Sequence, residues 1–518
     1  MALKSKLCLL VVLLSVVALN VAFAKEDPEL KQCKHQCRQQ QGFDDKQKQN
    51  CERDCEEYLK QKEEIERQKE KEREEHERGG GGEGWEFYTR NESQEGEGED
   101  QQQRQEEEDE EEENPYVFEE EHFDTWVGTR EGRVEVLPKF TKRSNLLRGI
   151  ENYRVGFLEA NPNTFVSPSH FDADIVLFVV QGKATVTIMK KEKKESHNLK
   201  RGYILKVPAG HPFYLTSTDE NENLFIVKLF RPIFLSGHYE AFYGPGGQDP
   251  ESFYTAFSWD LLEAAFKTDR NRLKRLFRQQ KLGSIMKVSK EQVQGLSKRG
   301  EGGSGIWPFG SESGSFNLFR KRPSKANKYG HLHEVDSKDY EELQNLNLMI
   351  SYANITRGAM TAPLYNSRAT KIAFVIDGEG CFEMACPHLS SGSSSEQYGH
   401  GQGSRSSMQK QKKSKRYQRV SGRLTRGVVF IVPAGHPYSL VASPSNNLEV
   451  VCFEVDSEGN IKYPLAGDEN FVKQMDGIAK ELAFNVPNKE VDRIFGNQEH
   501  NFFLPGPTQQ KQGGRAYA

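Results

Sequence analysis

Three side chains in the C-terminal half of this 518-residue chain have the chemistry of a metal site: Cys386, His388 and His436. Cys386 and His388 stand two apart, so on a strand both point to the same side. His436 follows a Pro-Ala-Gly turn that should return the chain beside that strand. A thiolate with two imidazoles suits copper or zinc, and its softness favours copper. The alternative is a buried free cysteine beside two ordinary histidines. Four more cysteines, Cys33, Cys37, Cys51 and Cys55, form two C-x3-C pairs separated by 13 residues. Spacing of four puts each pair on one helix face. Two such helices packed antiparallel would join Cys33 to Cys55 and Cys37 to Cys51, the nested one of three pairings. A segment so polar has little core of its own, which favours disulfides over a metal. No Gly-x-Ser-x-Gly, phosphate loop or His-Glu-x-x-His occurs, and no catalytic residue is assigned. Asn354-Ile-Thr356 and Asn91-Glu-Ser93 are glycosylation sequons, with Asn354 the better placed.

The elements that must position these groups come as a pair. Gly202 to Phe213 and Gly427 to Tyr438 both read Gly-x5-Pro-Ala-Gly-His-Pro-aromatic, 225 residues apart. A repeat that long means two copies of one domain. Strand-like runs surround the first copy at Ile150 to Ala160, Asp174 to Val180, Ala184 to Met189, Ile204 to Val207 and Leu224 to Phe230. The second has Leu346 to Asn354, Ala369 to Ile376, Cys381 to Cys386 and Val428 to Val432. Glycines and prolines punctuate them, as in an antiparallel barrel or jelly roll. Amphipathic helical stretches follow each copy, at 258–280 and 469–484. Gly182 and Gly378 correspond at 196 residues but the turns at 225, so the second copy carries an insertion of 29 residues, Ser/Gly-rich and then basic. A flexible surface loop at 388–419 is expected.

The N-terminus opens with Lys4 and Lys6, an apolar run from Leu7 to Val21, and Ala22-Phe23-Ala24, the pattern of a cleaved signal peptide. No other apolar run is long enough to span a bilayer, so no membrane role is expected. Residues 56–113 carry 25 acidic and 9 basic side chains, net -16 against -5 for the whole chain. Such a stretch cannot order itself by burial and reads as a solvated linker; it gives nucleic-acid binding no support. The expected organisation is a signal peptide (1–24), a disulfide-linked helical hairpin (25–60), an acidic linker (61–113), a β-barrel domain with helical arm (114–295), a Gly/Ser-rich linker (296–314) and a second such domain (315–518).

The doubled Pro-Ala-Gly-His motif, Ser-His170-Phe-Asp-Ala-Asp174, Asn-Ser-Arg368-Ala-Thr-Lys371, Glu-Leu-Ala-Phe484-Asn-Val-Pro and the Cys-x3-Cys extension together resemble the vicilins, 7S seed-storage globulins of tree-nut allergen type. The resemblance spans nearly the whole chain. It implies a mainly β bicupin fold, a nutrient reservoir in the protein storage vacuole, a homotrimer whose helical arms dock head to tail, and recognition by IgE in allergic individuals. It also implies that Tyr116, from Asn114-Pro-Tyr, joins Cys386, His388 and His436 around copper. Cupin enzymes bind their metal on three His and one Glu. Those places fall here on Pro168, His170, Ile175 and Phe213, and on Leu364, Asn366, Lys371 and Tyr438. The usual enzymatic site is therefore lost from both copies, the replacements suit a packed interior, and no cofactor is required, copper being an optional metal. Two rivals are a precursor of an antimicrobial or protease-inhibitory hairpin peptide and a metal-dependent bicupin enzyme.

Overall fold

The computed structural model describes residues 114–298, 314–387 and 417–507, together with Arg53. The signal peptide, the Cys33–Cys55 and Cys37–Cys51 pairing, the acidic linker, Asn91, His388 and residues 388–416 lie outside the described residues. The chain divides into two units at Glu95/Gly96, and all the described residues but Arg53 fall in the second. Within the second unit the fold is two β-barrels in tandem, each with a helical arm.

The first barrel is built on two antiparallel sheets of seven and six strands. The strands Ala173–Gln181 and Leu224–Pro232 pair side by side at the centre of the larger sheet. Their sequences are apolar on both faces because both faces are covered. Val176, Phe178, Phe225, Val227 and Leu229 belong to a core shared with the second barrel. The alternate residues Ile175, Leu177, Val179, Leu224, Ile226 and Phe230 fill the interior of the first. Phe374 of the second barrel seats its ring 6.2 Å from both Phe157 and Phe225 across this junction.

The second barrel forms one sheet of thirteen strands. The two expected runs at 369–376 and 381–386 are one strand, Thr370–Cys386, which serves both sides of the barrel by bending. Gly378 lies within it at φ +84°, and a Cβ there would stand 1.7 Å from the Asn447 carbonyl oxygen. Gly182 holds the corresponding position at φ +79°. Only glycine combines that backbone conformation with so close an approach.

The domain boundaries expected near 114 and 315 are crossed by short strands. Val117–Phe118 pairs with Val429–Val432 of the second barrel. Reciprocally, Ser315–Asn317 pairs with Tyr203–Val207 of the first. The helix Lys290–Lys298 also runs past residue 296, where the Gly/Ser-rich linker was expected to begin.

The first arm contains the helices Trp259–Phe266 and Arg270–Leu276. Ser258 caps the first by accepting from the Leu261 amide, and Asp269 caps the second through the Asn271 and Arg272 amides. Leu262, Leu273 and Phe277 form its small core with Tyr254 and Trp259. The second arm contains Gly477–Phe484 and Asn488–Gly496, the former ended by Asn485 in the left-handed region. No helix among the described residues is long and apolar enough to cross a membrane.

Candidate functional site

Cys386 ends its strand fully buried. The returning strand Tyr438–Ala442 lies beside it, with Met384 opposite Tyr438. The Ala385 amide donates to the Pro437 carbonyl at 2.8 Å. His436 is thereby brought next to the Cys386 end of the strand, as its sequence position implies, and is 6 % exposed. Its Nδ1 lies 3.1 Å from the Ala434 carbonyl, an acceptor, so Nδ1 carries the proton and Nε2 the lone pair.

Tyr116 arrives from the opposite end of the described chain. The Asn114 amide donates to the Ser421 carbonyl at 2.8 Å, and the Asn114 Oδ1 accepts from the Tyr116 amide. The Tyr116 carbonyl accepts from the Ile431 amide. Held this way, the phenol oxygen stands 3.5 Å from Cys386 Sγ and its ring centroid 6.4 Å from that of His436. Burial, then the contact with Cys386, raises the phenol's pKa. Three of the four expected ligands therefore converge. Among the described residues there is no group of three or more His, Cys, Asp or Glu side chains fit to hold a metal; His388 falls outside them. The convergent donor set fits a soft metal in its chemistry: a thiol, an imidazole with its lone pair fixed on Nε2, and a phenol.

The first barrel repeats the turn without the site. His211 Nδ1 lies 3.2 Å from the Ala209 carbonyl, matching His436. The Met189 amide donates to Pro212 as Ala385 does to Pro437. Lys190 consequently stands where Cys386 would be, and it pairs with Glu195.

The places a cupin enzyme uses for its metal are differently filled. His170 stacks on Phe242 at 5.0 Å and meets Phe253 edge-on. Ile175 is buried in the first core, and Phe213 packs against it. The second barrel departs from the packed apolar interior expected of it. Lys371 and Glu454 face each other across paired strands, 7 % and 0 % exposed, with Nζ 2.9 Å from Oε1. Glu454 also accepts from Ser351 Oγ at 2.9 Å and pairs with Lys462 at 3.2 Å. Lys462 in turn bonds Glu334. Tyr438 closes over the Lys371 ammonium at 5.7 Å. Burial by itself would push the Glu454 carboxyl up, but Lys371 and Lys462 hold it at about 2. The Lys371 ammonium is likewise held charged well above the usual range; burial opposes this, and Cys452 and Glu454 prevail. Where a cupin enzyme would hold its metal, the second barrel holds an ion pair whose contacts all gather on Glu454 Oε1, while Oε2 is buried without a hydrogen-bond partner. Single charges inside apolar runs, Lys371 before Ile-Ala-Phe and Glu454 after Val-Cys-Phe, were the sequence signal for this network.

Asn354 lies in the strand Leu348–Ile355, half-buried, its amide donating to Glu449 at 3.1 Å and to the Tyr352 hydroxyl at 3.4 Å.

Two barrels of this kind, joined in one chain and each trailing a helical arm, define a bicupin. The cupin family model matches residues 151–232 and 316–492. The vicilin Jug r 6.0101 of Juglans regia is 52 % identical over the full length of both chains. The vicilin Cor a 11.0101 of Corylus avellana is 51 % identical over 95 % of this chain and 98 % of its own. The crystal structure of hazelnut vicilin superposes with a TM-score of 0.68 at 53 % identity, covering 76 % of this chain and all of that one. The chain belongs to the vicilin family, the 7S seed-storage globulins, and its close relatives carry allergen names.

Proposed function

We propose that the protein works as a non-catalytic reserve that assembles into a trimer through its two helical arms and is routed through the secretory pathway to a storage vacuole. The observation that carries this is the apolar outer face on both arms. Leu261, Leu276 and Leu282 are 52 %, 61 % and 70 % exposed, and Ile478, Leu482 and Ile494 are 73 %, 81 % and 55 % exposed. Ile478 and Leu482 are four apart, on one side of their helix. A soluble storage protein does not leave such patches uncovered, and two different patches on one chain close a ring by head-to-tail contact. Light scattering on the purified protein tests it. A mass of three protomers is expected, with Ile478→Asp/Leu482→Asp reduced to the protomer mass; a wild-type monomer refutes it.

A second reading concerns copper, held by Cys386, His436 and Tyr116 with His388 from the adjoining segment. The 3.5 Å approach of Tyr116 to Cys386 supports it. Elemental analysis should find near one copper per protomer, lost in Cys386→Ala; no transition metal in either sample removes the reading. A bound copper would supply a soft, redox-active Lewis acid. The residues themselves hold the thiol and imidazole in an enclosed wall, which suits a structural ion. Asn354 is the sequon we favour for a glycan, one that would compete with its amide bonds to Glu449 and Tyr352; peptide mapping decides occupancy.

A further inference from the structure

One lysine in the first barrel is placed unlike any in the second. On the strand Leu224–Pro232, Phe225, Val227 and Leu229 face the shared core, while Leu224, Ile226 and Phe230 face the barrel interior. The alternation of a strand puts Lys228 on the interior side with Ile226 and Phe230. Its ammonium has no hydrogen bond or ion pair among the described residues, unlike Lys371 on its acidic partner in the second barrel.

Lys228 lines a partly open cavity of about 50 Å³ inside the first barrel. Phe171, Leu177, Phe230 and Tyr239 form much of its wall, and no arginine or second lysine reaches it. Tyr239 is 3 % exposed, stacks on Phe230 at 4.3 Å, and its hydroxyl has no hydrogen-bond partner. A half-buried amine and a buried hydroxyl, neither with a hydrogen-bond partner among the described residues, therefore line one small, mainly apolar space, with Ser167, Ser169 and Ser284 also on its wall. Each such group normally costs free energy unless a ligand or water satisfies it.

The chemistry of the pair decides the class of ligand. Desolvation pushes the Lys228 amine down to about 8, so about one amine in ten is neutral at pH 7, against fewer than about one in a thousand for an ordinary lysine. A desolvated neutral amine is a nucleophile toward carbonyl carbon. An anion would meet one cation only, since no arginine or second lysine lines the cavity. Burial, first of all, keeps the Tyr239 hydroxyl protonated, which makes it a donor for a carbonyl oxygen. One water needs about 10–15 Å³ of such space, so the cavity takes only a few heavy atoms.

We propose that the first barrel reversibly captures short-chain aliphatic aldehydes as an imine on Lys228 Nζ. The amine lone pair adds to the carbonyl carbon to give a carbinolamine. The nitrogen then gives up its protons, the carbonyl oxygen leaves as water, and the C=N bond forms. No electrons are transferred to or from an external partner. The reverse step needs only water, so the adduct releases its aldehyde when the free pool falls.

The test is reductive trapping on the full-length protein at pH 7 with acetaldehyde and cyanoborohydride, read by peptide mass spectrometry. Lys228 should be ethylated at least about tenfold faster than the exposed lysines, whose amines are almost wholly protonated at that pH. The rate at Lys228 should rise with a midpoint near pH 8. Denaturation in guanidinium should abolish the preference, and Lys228→Arg should remove the fast phase while the protein keeps its circular dichroism. Wild-type maps suffice if that variant misfolds. Ethylation confined to the exposed lysines, or no faster at Lys228 than elsewhere, overturns the proposal.

Discussion

Removing the charge of Glu454 is the sharpest probe of the second barrel. Its carboxylate is 0 % exposed and receives Lys371 Nζ at 2.9 Å, Ser351 Oγ at 2.9 Å and Lys462 Nζ at 3.2 Å. Glu454→Gln keeps the shape and leaves two ammonium groups with one fewer anion in the barrel. Breaking a buried pair from one side costs about 3–5 kcal/mol. The carboxyl's own proton affinity gives the same scale. Held at about 2 in the fold against an ordinary 4.5, the carboxylate contributes about 3 kcal/mol at neutral pH. A folded-state value below the unfolded one means stability that is full above about pH 4.5 and lost as pH falls toward 2. The assay is thermal unfolding of parent and variant at fixed protein concentration and scan rate, since an oligomer's midpoint depends on both. At pH 7 the variant should melt on the order of 10 °C lower. By pH 3 the parent's advantage should have fallen by about half or more. The double change Lys371→Met/Glu454→Leu should recover most of the loss, because Lys462 keeps Glu334 and an apolar pair of similar volume replaces the ions. A single variant within about 1 kcal/mol of the parent, or a pH-independent gap, would refute the reasoning.

Three other outcomes are expected. Lys228→Met should stabilise the protein by up to about 3 kcal/mol at pH 7, with the gain shrinking between pH 8 and 10.5 as the native amine becomes neutral in both states; equal melting at pH 7 speaks against a desolvated ammonium. Gly378→Ala should cost well over 2 kcal/mol, because the new methyl meets the Asn447 oxygen at 1.7 Å. Gly435→Ala, at φ +78° with open space around it, should cost only about 1–2 kcal/mol, and denaturant titration separates the two. Phe374→Ala should lower stability by about 3–5 kcal/mol by opening a cavity between the barrels where Phe123, Phe157 and Phe225 meet its ring.

Much of the architecture was legible in local patterns. The repeated Pro-Ala-Gly-His turn announced two like domains, and the runs around Asp174 and Leu224 became strands within one or two residues of their expected ends. The 3.6-residue spacing around Leu261 and Leu273 marked the first arm, though Lys267 in the left-handed region divides it into two helices. These features are readable because periodicity and turn chemistry are properties of neighbours in sequence. The nearness of His436 to Cys386 followed from the same kind of reasoning, since a tight turn returns a strand to its neighbour's side.

What only the tertiary structure decided is which distant residues share a face. Tyr116 reaches Cys386 because Asn114 is bonded to Ser421 and the strand after it joins the second barrel, a pairing across some 300 positions that no local signal encodes. The barrels trade short strands at 117–118 and 315–317, so the sequence boundary is not the spatial one. Lysine 371 and lysine 228 look alike in sequence, each a single charge in an apolar run. Register sets Lys371 opposite Glu454 and Lys228 between Leu177 and Gly156, so one becomes an ion pair and the other an unpaired amine facing a cavity. A residue's type fixes what chemistry it can offer; the partner across the sheet fixes its charge state, because burial penalises a charge by an amount that only a specific neighbour can offset.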